Sequence, residues 1–304
     1  MSEPILIVGT GALASLFAVR LAAKDIPVTM LGTWREGLAA LRQHGVMLVQ
    51  PDGSQKAYPV IATDDPKECQ GAKHALVLVK SWQTERAATQ LAECLASDGV
   101  ALTLQNGLGN QETLAKELGK RRVALGVTTT GATLLSSGRV RPGGEGVISV
   151  GAHPRVDPLV NLLREVGFNV EVLDNVDTLI WGKLVVNAAI NPMTAMLQVP
   201  NGELLVRDSA RQLSSDLARE VAEVARAQDI HLAYDDPVAV SELVMEKTAT
   251  NNSSMFQDIQ RGAPTEIDAI CGAVVEVGER VGVGTPVNRA LWLLIRALRE
   301  ANQE

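Results

Sequence analysis

The stretch Ile5-Leu6-Ile7-Val8-Gly9-Thr10-Gly11-Ala12-Leu13-Ala14 decides the fold class of this chain. Four apolar residues in a row suit a central strand covered on both faces, where polar and apolar side chains need not alternate. Glycine stops the run. Ala12 to Ala23 then supplies good helix formers without proline. Pro27-Val28-Thr29-Met30-Leu31 reads as a second strand, giving the order β-α-β. In such a unit Gly9 permits the tight turn, Gly11 lets a pyrophosphate approach the backbone, and small Ala14 allows close helix–strand packing. The free N–H groups at the helix start face the phosphates. A dinucleotide site over Gly9, Thr10, Gly11, Ala12, Leu13 and Ala14 is therefore expected, with a purely structural glycine turn as the alternative.

Outward from this unit the rhythm continues. Ala75–Val79, Val100–Leu104, Val123–Thr130 and Gly146–Val150 read as strands, and Thr84–Leu95, Gln111–Leu118 and Asp157–Val166 as helices. That is a Rossmann-type doubly wound α/β sheet. After about Asp174 the texture changes. Ile180–Leu197, Leu204–Gln228, Pro237–Ile259, Glu266–Val281 and Val287–Ala301 carry apolar residues at helical spacing. The expected organisation is a dinucleotide-binding domain over residues 1–174, followed by an all-helical domain over 175–304.

Composition narrows the function classes. The 304 residues carry 28 Lys and Arg against 35 Asp and Glu, a net charge of −7. This disfavours general binding of nucleic acid or anionic membrane, which needs a basic face. Cys69, Cys94 and Cys271 are far apart in sequence and form no CxxC pair, so they read as small buried hydrophobes. The four histidines are scattered and no HExxH occurs, so no metal site is expected. The opening MSEPILIVGTG lacks the basic end and long apolar run of a signal peptide. No segment has the apolar length of a membrane span. A cytoplasmic protein is expected, and a homo-oligomer built through the helical half is compatible with the sequence.

Two further features concern chemistry. The second strand ends Leu31-Gly32-Thr33-Trp34-Arg35, with no acidic residue before Glu36 to accept from a ribose 2′-hydroxyl. Arg35 suits a 2′-phosphate instead, which favours NADPH; an ordinary surface arginine is the alternative. Lys183, Asn187 and Asn191 stand four residues apart, drifting only about 40° per step, and so form one polar stripe on an otherwise apolar helix. By spacing alone the stripe is either a polar site or a snorkelling lysine with asparagines satisfying backbone groups.

Longer motifs bear on that choice. Trp181-Gly182-Lys183-Leu184, Asn187, Asn191-Pro192-Met193-Thr194-Ala195 and Pro200-Asn201-Gly202-Glu203-Leu204 closely resemble the ketopantoate reductase (2-dehydropantoate 2-reductase) family. Val79-Lys80-Ser81-Trp82-Gln83, Gln105-Asn106-Gly107-Leu108-Gly109, Asn252-Ser253-Ser254-Met255-Phe256-Gln257-Asp258 and Thr265-Glu266-Ile267-Asp268 agree, so the likeness runs from about Ile5 to Asp268. The resemblance implies a cytoplasmic, NADPH-dependent oxidoreductase that reduces 2-dehydropantoate to pantoate, a step towards pantothenate and coenzyme A. It implies Lys183 as the proton donor. Asn187, Asn191, Asn201 and Ser254 match substrate contacts, and Asn106 matches a contact shared by cofactor and substrate. Lys80, Ala132 and Glu266 match cofactor-side positions; for Glu266, assisting Lys183 or lying on a solvated helix face are the other readings. An ammonium and asparagine amides suit a 2-keto acid, because a carbonyl oxygen gains charge as hydride arrives and amides both donate and accept. A reductase of another branched 2-keto acid, or a non-catalytic NADP(H)-sensing protein, are the rival functions.

Overall fold

The computed structural model describes residues 4–301. Two compact units emerge from the packing: residues up to Gln105 together with Asn110–Val176, and Asn106–Gly109 together with the residues from Asp177 onward.

The first unit opens with strand β1 (Ile5–Val8), helix α1 (Ala12–Ala22), strand β2 (Val28–Leu31) and helix α2 (Arg35–His44). It continues through β3 (Val46–Val49), β4 (Gln55–Tyr58), β5 (Ile61–Thr63), β6 (Ala72–Val77), α3 (Thr84–Cys94), β7 (Leu95–Thr103) and α4 (Asn110–Leu118). β8 (Val123–Thr128), β9 (Gly131–Ser136), β10 (Arg139–Gly144), β11 (Val147–Gly151), α5 (Asp157–Glu165) and β12 (Asn169–Leu173) complete it. Eight strands form the main sheet in the order β12-β11-β8-β7-β6-β1-β2-β5. β1 lies parallel between β2 and β6, with Ile5 opposite Val28 and Leu6 opposite Ala75. All four β1 side chains are buried, as a strand covered on both faces requires.

Three features depart from the expected pattern. The strand over Val147–Gly151 runs antiparallel to β8, so the sheet is parallel only as far as that edge. Arg35–His44, given no element by the sequence reading, is a helix that Arg35 begins. A second sheet, β4-β3-β10-β9, forms where no strands were expected, and its Val46, Leu48 and Val140 join α1 in one apolar core. The sequence-separated Cys69 and Cys94 also meet: both are buried, not joined by a disulfide, and each influences the other's titration.

The second unit is helical: α6 (Asp177–Leu197), α7 (Asp208–Arg226), α8 (Pro237–Lys247), α9 (Ser254–Gln260), α10 (Ala273–Val281) and α11 (Pro286–Ala301). The single helix expected over Pro237–Ile259 is two. Ser253 starts the second by accepting a hydrogen bond from Phe256 N at 3.1 Å, an N-cap that a continuous helix would have no use for. The helix expected from Leu204 begins at Asp208, after a 3₁₀ turn over Asn201–Leu204. Glu266–Val281 opens not as α-helix but as a π-turn over Asp268–Gly272, closed by Gly272 N donating to Ile267 O at 3.0 Å. Buried Glu220 of α7 caps α11, its carboxylate accepting from Val287 N (2.8 Å), Asn288 N (2.9 Å) and Asn288 Nδ2 (2.8 Å). That placement answers both the orphan N–H groups of the helix start and its partial positive charge. Among the described residues no helix is long and apolar enough to cross a membrane.

Candidate active site

In the first unit the turn between β1 and α1 is built by its two glycines in different ways. Gly9 has φ +131°, and a Cβ there would lie 2.9 Å from Leu78 O of the neighbouring strand end. Gly9 is therefore demanded by the protein itself. At Gly11 a Cβ would meet no atom of the described residues within 4 Å. What glycine preserves there is open space over the turn. α1 follows from Gly11 with no side chain capping it and no acidic residue in its first turn. An uncapped helix start beside a side-chain-free backbone is the arrangement a pyrophosphate needs, so these residues fit a dinucleotide. Thr10 is buried against Gly32, where a Cβ would stand 2.7 Å from Thr10 Cγ2. Ala14 is fully buried under the turn, and Ala12 and Leu13 are half-buried.

Arg35 is exposed at the first position of α2, just beyond the end of β2, and that helix also starts without a side-chain cap. Its charge reaches Asp64, whose carboxyl is held below the usual range chiefly by its hydrogen bond from Arg42 (Nη2 to Oδ1, 2.6 Å). Lys80 stands half-buried past the end of β6, leading into a 3₁₀ turn. Next to it Gln105, quoted in a motif but given no role by sequence, ties the strand ends together. Its amide donates to Val79 O (3.1 Å) and to Thr84 Oγ1 (2.9 Å), and its Oε1 accepts from Thr103 Oγ1 (2.9 Å). Ala132 lies in β9 of the small sheet, paired with Pro142.

In the second unit the stripe on α6 is real. Leu184, Val185, Ala188 and Ala189 are buried in the helical core, while Lys183 and Asn187 are half-buried and Asn191 is 7% exposed. Burial pulls the Lys183 ammonium from its ordinary 10.5 down to about 8, and the nearby Glu266 carboxylate opposes that pull. Glu266, 4% exposed, also accepts from Asn106 Nδ2 at 3.2 Å. Lys183, Glu266 and Asn106 thus form one charged and polar cluster, and the reading of Glu266 as a solvated surface residue is overturned by its burial. Asn106 arrives on a tight segment: Gly107 has φ +80°, and a Cβ there would be 2.3 Å from Ala269 O.

Asn201 is placed by its turn, whose backbone is strapped down by Asn201 N to Asn251 O and Gly202 N to Ala249 O, both 3.0 Å. Its Nδ2 donates to Thr248 Oγ1 at 2.8 Å, and its Oδ1 is buried with no partner among the described residues. A buried acceptor without a donor costs about 1–3 kcal/mol, which an incoming hydroxyl or amide would recover. Ser254 is exposed in the first turn of α9. The buried cap Ser253 lies 2.7 Å from Thr194 Oγ1 (hydroxyl to hydroxyl), linking the start of α9 to α6. Sequence reading passed over Tyr234, whose hydroxyl donates to Gly182 O (3.0 Å) directly before Lys183. A lone tyrosine between two helices carries no motif.

Residues 5–155 match the family described as Ketopantoate reductase PanE/ApbA, and residues 175–299 match Ketopantoate reductase PanE/ApbA C terminal. The chain belongs to the ketopantoate reductase family. The 2-dehydropantoate 2-reductase of Archaeoglobus fulgidus is 38% identical over 305 residues, spanning 97% of this chain and 98% of the relative. A PanE/ApbA family ketopantoate reductase from Ralstonia eutropha JMP134 superposes with a TM-score of 0.92 at 30% identity, covering 99% of this chain and 100% of that one. A D-mandelate dehydrogenase solved with NADH and anilino(oxo)acetate superposes with a TM-score of 0.91 at 26% identity, covering 99% of each chain. As a ketopantoate reductase family member the chain is an oxidoreductase that uses a nicotinamide cofactor, and the Gly9–Ala14 turn has the geometry to hold one.

Proposed function

We propose that this chain reduces 2-dehydropantoate to pantoate with NADPH in the cytoplasm, the first unit holding the cofactor and the helical unit the keto acid. The observation that carries the reading is the cluster of Lys183, Glu266 and Asn106, a lysine whose proton is loosened by burial yet kept on by a carboxylate. The bound cofactor supplies hydride for the keto carbon. Lys183 Nζ donates a hydrogen bond to the keto oxygen, stabilises the charge that grows there and passes it a proton. A lysine at about 8 is mostly protonated at pH 7 and gives up its proton far more readily than one at 10.5. Asn187 and Asn191 extend the polar face of α6 along the substrate, and Asn201 Oδ1 accepts from its hydroxyl. Ser254 meets the carboxylate end. Glu266 holds the Lys183 charge and orients Asn106, which reaches both ligands. Arg35 pairs with the 2′-phosphate, and Lys80 and Ala132 line the cofactor.

The test is oxidation of NADPH followed by absorbance with 2-dehydropantoate, beside pyruvate and 2-ketoisovalerate. Rapid turnover with 2-dehydropantoate alone is expected. Preference for another 2-keto acid would move the chain to the rival reading, which the likeness to D-mandelate dehydrogenase supports. Tight NADPH binding with all keto acids inert would sink both.

A further inference from the structure

We propose that Trp292 and Asp268 form a latch that sets the position of Glu266 and Asn106, making them positioning residues for the reaction. This rests on the proposed role of the Lys183 cluster. The starting point is the π-turn Asp268–Gly272. Such widened turns are rare and frequently found at functional sites, because they shift backbone groups out of the regular helical ladder. Here the turn begins two residues after Glu266. The carbonyl of Ala269, within it, accepts from Leu108 N at 2.9 Å, a bond directed away from the helix axis to another segment of chain. The Asn106–Gly109 segment is therefore seated on the π-turn, with Gly107 backbone against Ala269 and Asn106 Nδ2 on Glu266.

The widened turn is held from outside by Trp292 of α11. Its indole Nε1 donates to Asp268 Oδ1 at 2.7 Å, and its ring lies over Gly272, where a Cβ would stand 3.0 Å from Cε2 and Nε1. Both ends of the π-turn are thus gripped by one side chain, its first residue by hydrogen bond and its last by contact. An indole carries one N–H donor, which usually finds a partner. This one spends its single donor on a carboxylate at the exposed start of the turn, an arrangement that specifies geometry. Trp292 acts on the turn that follows Glu266. Its effect passes through the turn to Ala269 O, thence to Leu108 and Asn106, and along the backbone to Glu266.

Two readouts test the latch. The first does not depend on activity: amide hydrogen exchange at Leu108. Trp292→Phe keeps the ring but loses the donor, and Asp268→Ala loses the acceptor. Either should raise Leu108 exchange at least tenfold while amides of α7 keep their rates. Asp268→Asn retains Oδ1 and should restore protection. The second is the pH profile of reduction. Loosening Glu266 from Lys183 should move the basic limb of Trp292→Phe to lower pH, the direction expected of Glu266→Gln. In the double variant Trp292→Phe/Glu266→Gln the two losses should not add, since both act through one contact. Unchanged Leu108 exchange in both single variants overturns the latch, as does full additivity with an unmoved pH limb. A lowered melting temperature alone, with exchange at Leu108 and the pH limb as in the parent, reduces the pair to a packing contact and also overturns it. If the parent chain fails to turn over 2-dehydropantoate, the functional reading falls, and the exchange experiment still decides the latch.

Discussion

The Lys183 ammonium gives a prediction whose size follows from its surroundings. Its fall from 10.5 to about 8 costs the charged form about 3 kcal/mol, at about 1.4 kcal/mol per pH unit. The cause is burial, and the Glu266 carboxylate limits it. If protonated Lys183 is the form that reduces the keto acid, turnover should be level below about pH 7. It should fall through pH 8 and then decline about tenfold for each further pH unit. At pH 9 about one tenth of the plateau should remain. The assay is kcat for NADPH oxidation from pH 6 to 10 at saturating keto acid, with a deuterated nicotinamide used to confirm that hydride transfer limits the rate. Glu266→Gln removes the opposing carboxylate, so burial acts alone and the limb should move to lower pH. Lys183→Ala should lose at least a hundredfold in turnover, shed the limb altogether and still bind NADPH. The same group affects stability with a definite sign. Unfolded, the lysine holds its proton to about 10.5; folded, it releases it near 8, so between those values the unfolded chain binds more protons and stability rises with pH. Below pH 8 both states are charged and the penalty is fully present. A turnover rate flat to pH 9.5, or a limb unmoved by Glu266→Gln, would refute the assignment of Lys183 as proton donor.

Other substitutions separate fold from ligand. Gly11→Val adds atoms where no atom of the described residues lies within 4 Å, so the melting temperature should hold while NADPH affinity drops at least a hundredfold. Gly9→Val places a Cβ against Leu78 O at φ +131° and should destabilise the protein whether or not cofactor is present. Arg35→Ala should raise the NADPH KM about tenfold or more and leave the NADH KM unchanged, because only the former carries a 2′-phosphate; equal effects on both would remove Arg35 from cofactor choice. Glu220→Ala strands two backbone N–H groups and the Asn288 amide at the start of α11, and should cost about 3 kcal/mol in urea unfolding.

What could be read in advance was what is local. The β1 strand, the glycine turn and the start of α1 are written within ten residues, Ile5–Ala14, because a buried strand, a turn and a helix start each have their own residue types there. The α6 stripe is likewise a matter of period along one helix. The small sheet escaped because Gln55-Lys56-Ala57-Tyr58 is short and largely exposed, Arg139-Val140-Arg141-Pro142 is short and carries a proline, and β10 finds its parallel partner β3 about ninety residues back in the chain. No periodicity within a segment encodes such a pairing. The same limit governs the site. Sequence motifs brought forward Asn106, Lys183 and Glu266 one at a time, but the Asn106–Glu266 hydrogen bond spans 160 residues and lies beside a π-turn whose Ala269 O accepts from Leu108 N. That turn is invisible to helical spacing, since Glu266–Val281 scans as ordinary amphipathic helix and the inserted residue changes the backbone without changing the apolar pattern. Of the two latch residues Asp268 belongs to the Thr265–Asp268 motif, and Trp292 to none. Trp292 looks in sequence like one more apolar position of α11, and its place against Asp268 and Gly272 connects it to the chemistry. In this chain the chemical groups are local in sequence, while their alignment is a property of contacts between distant segments.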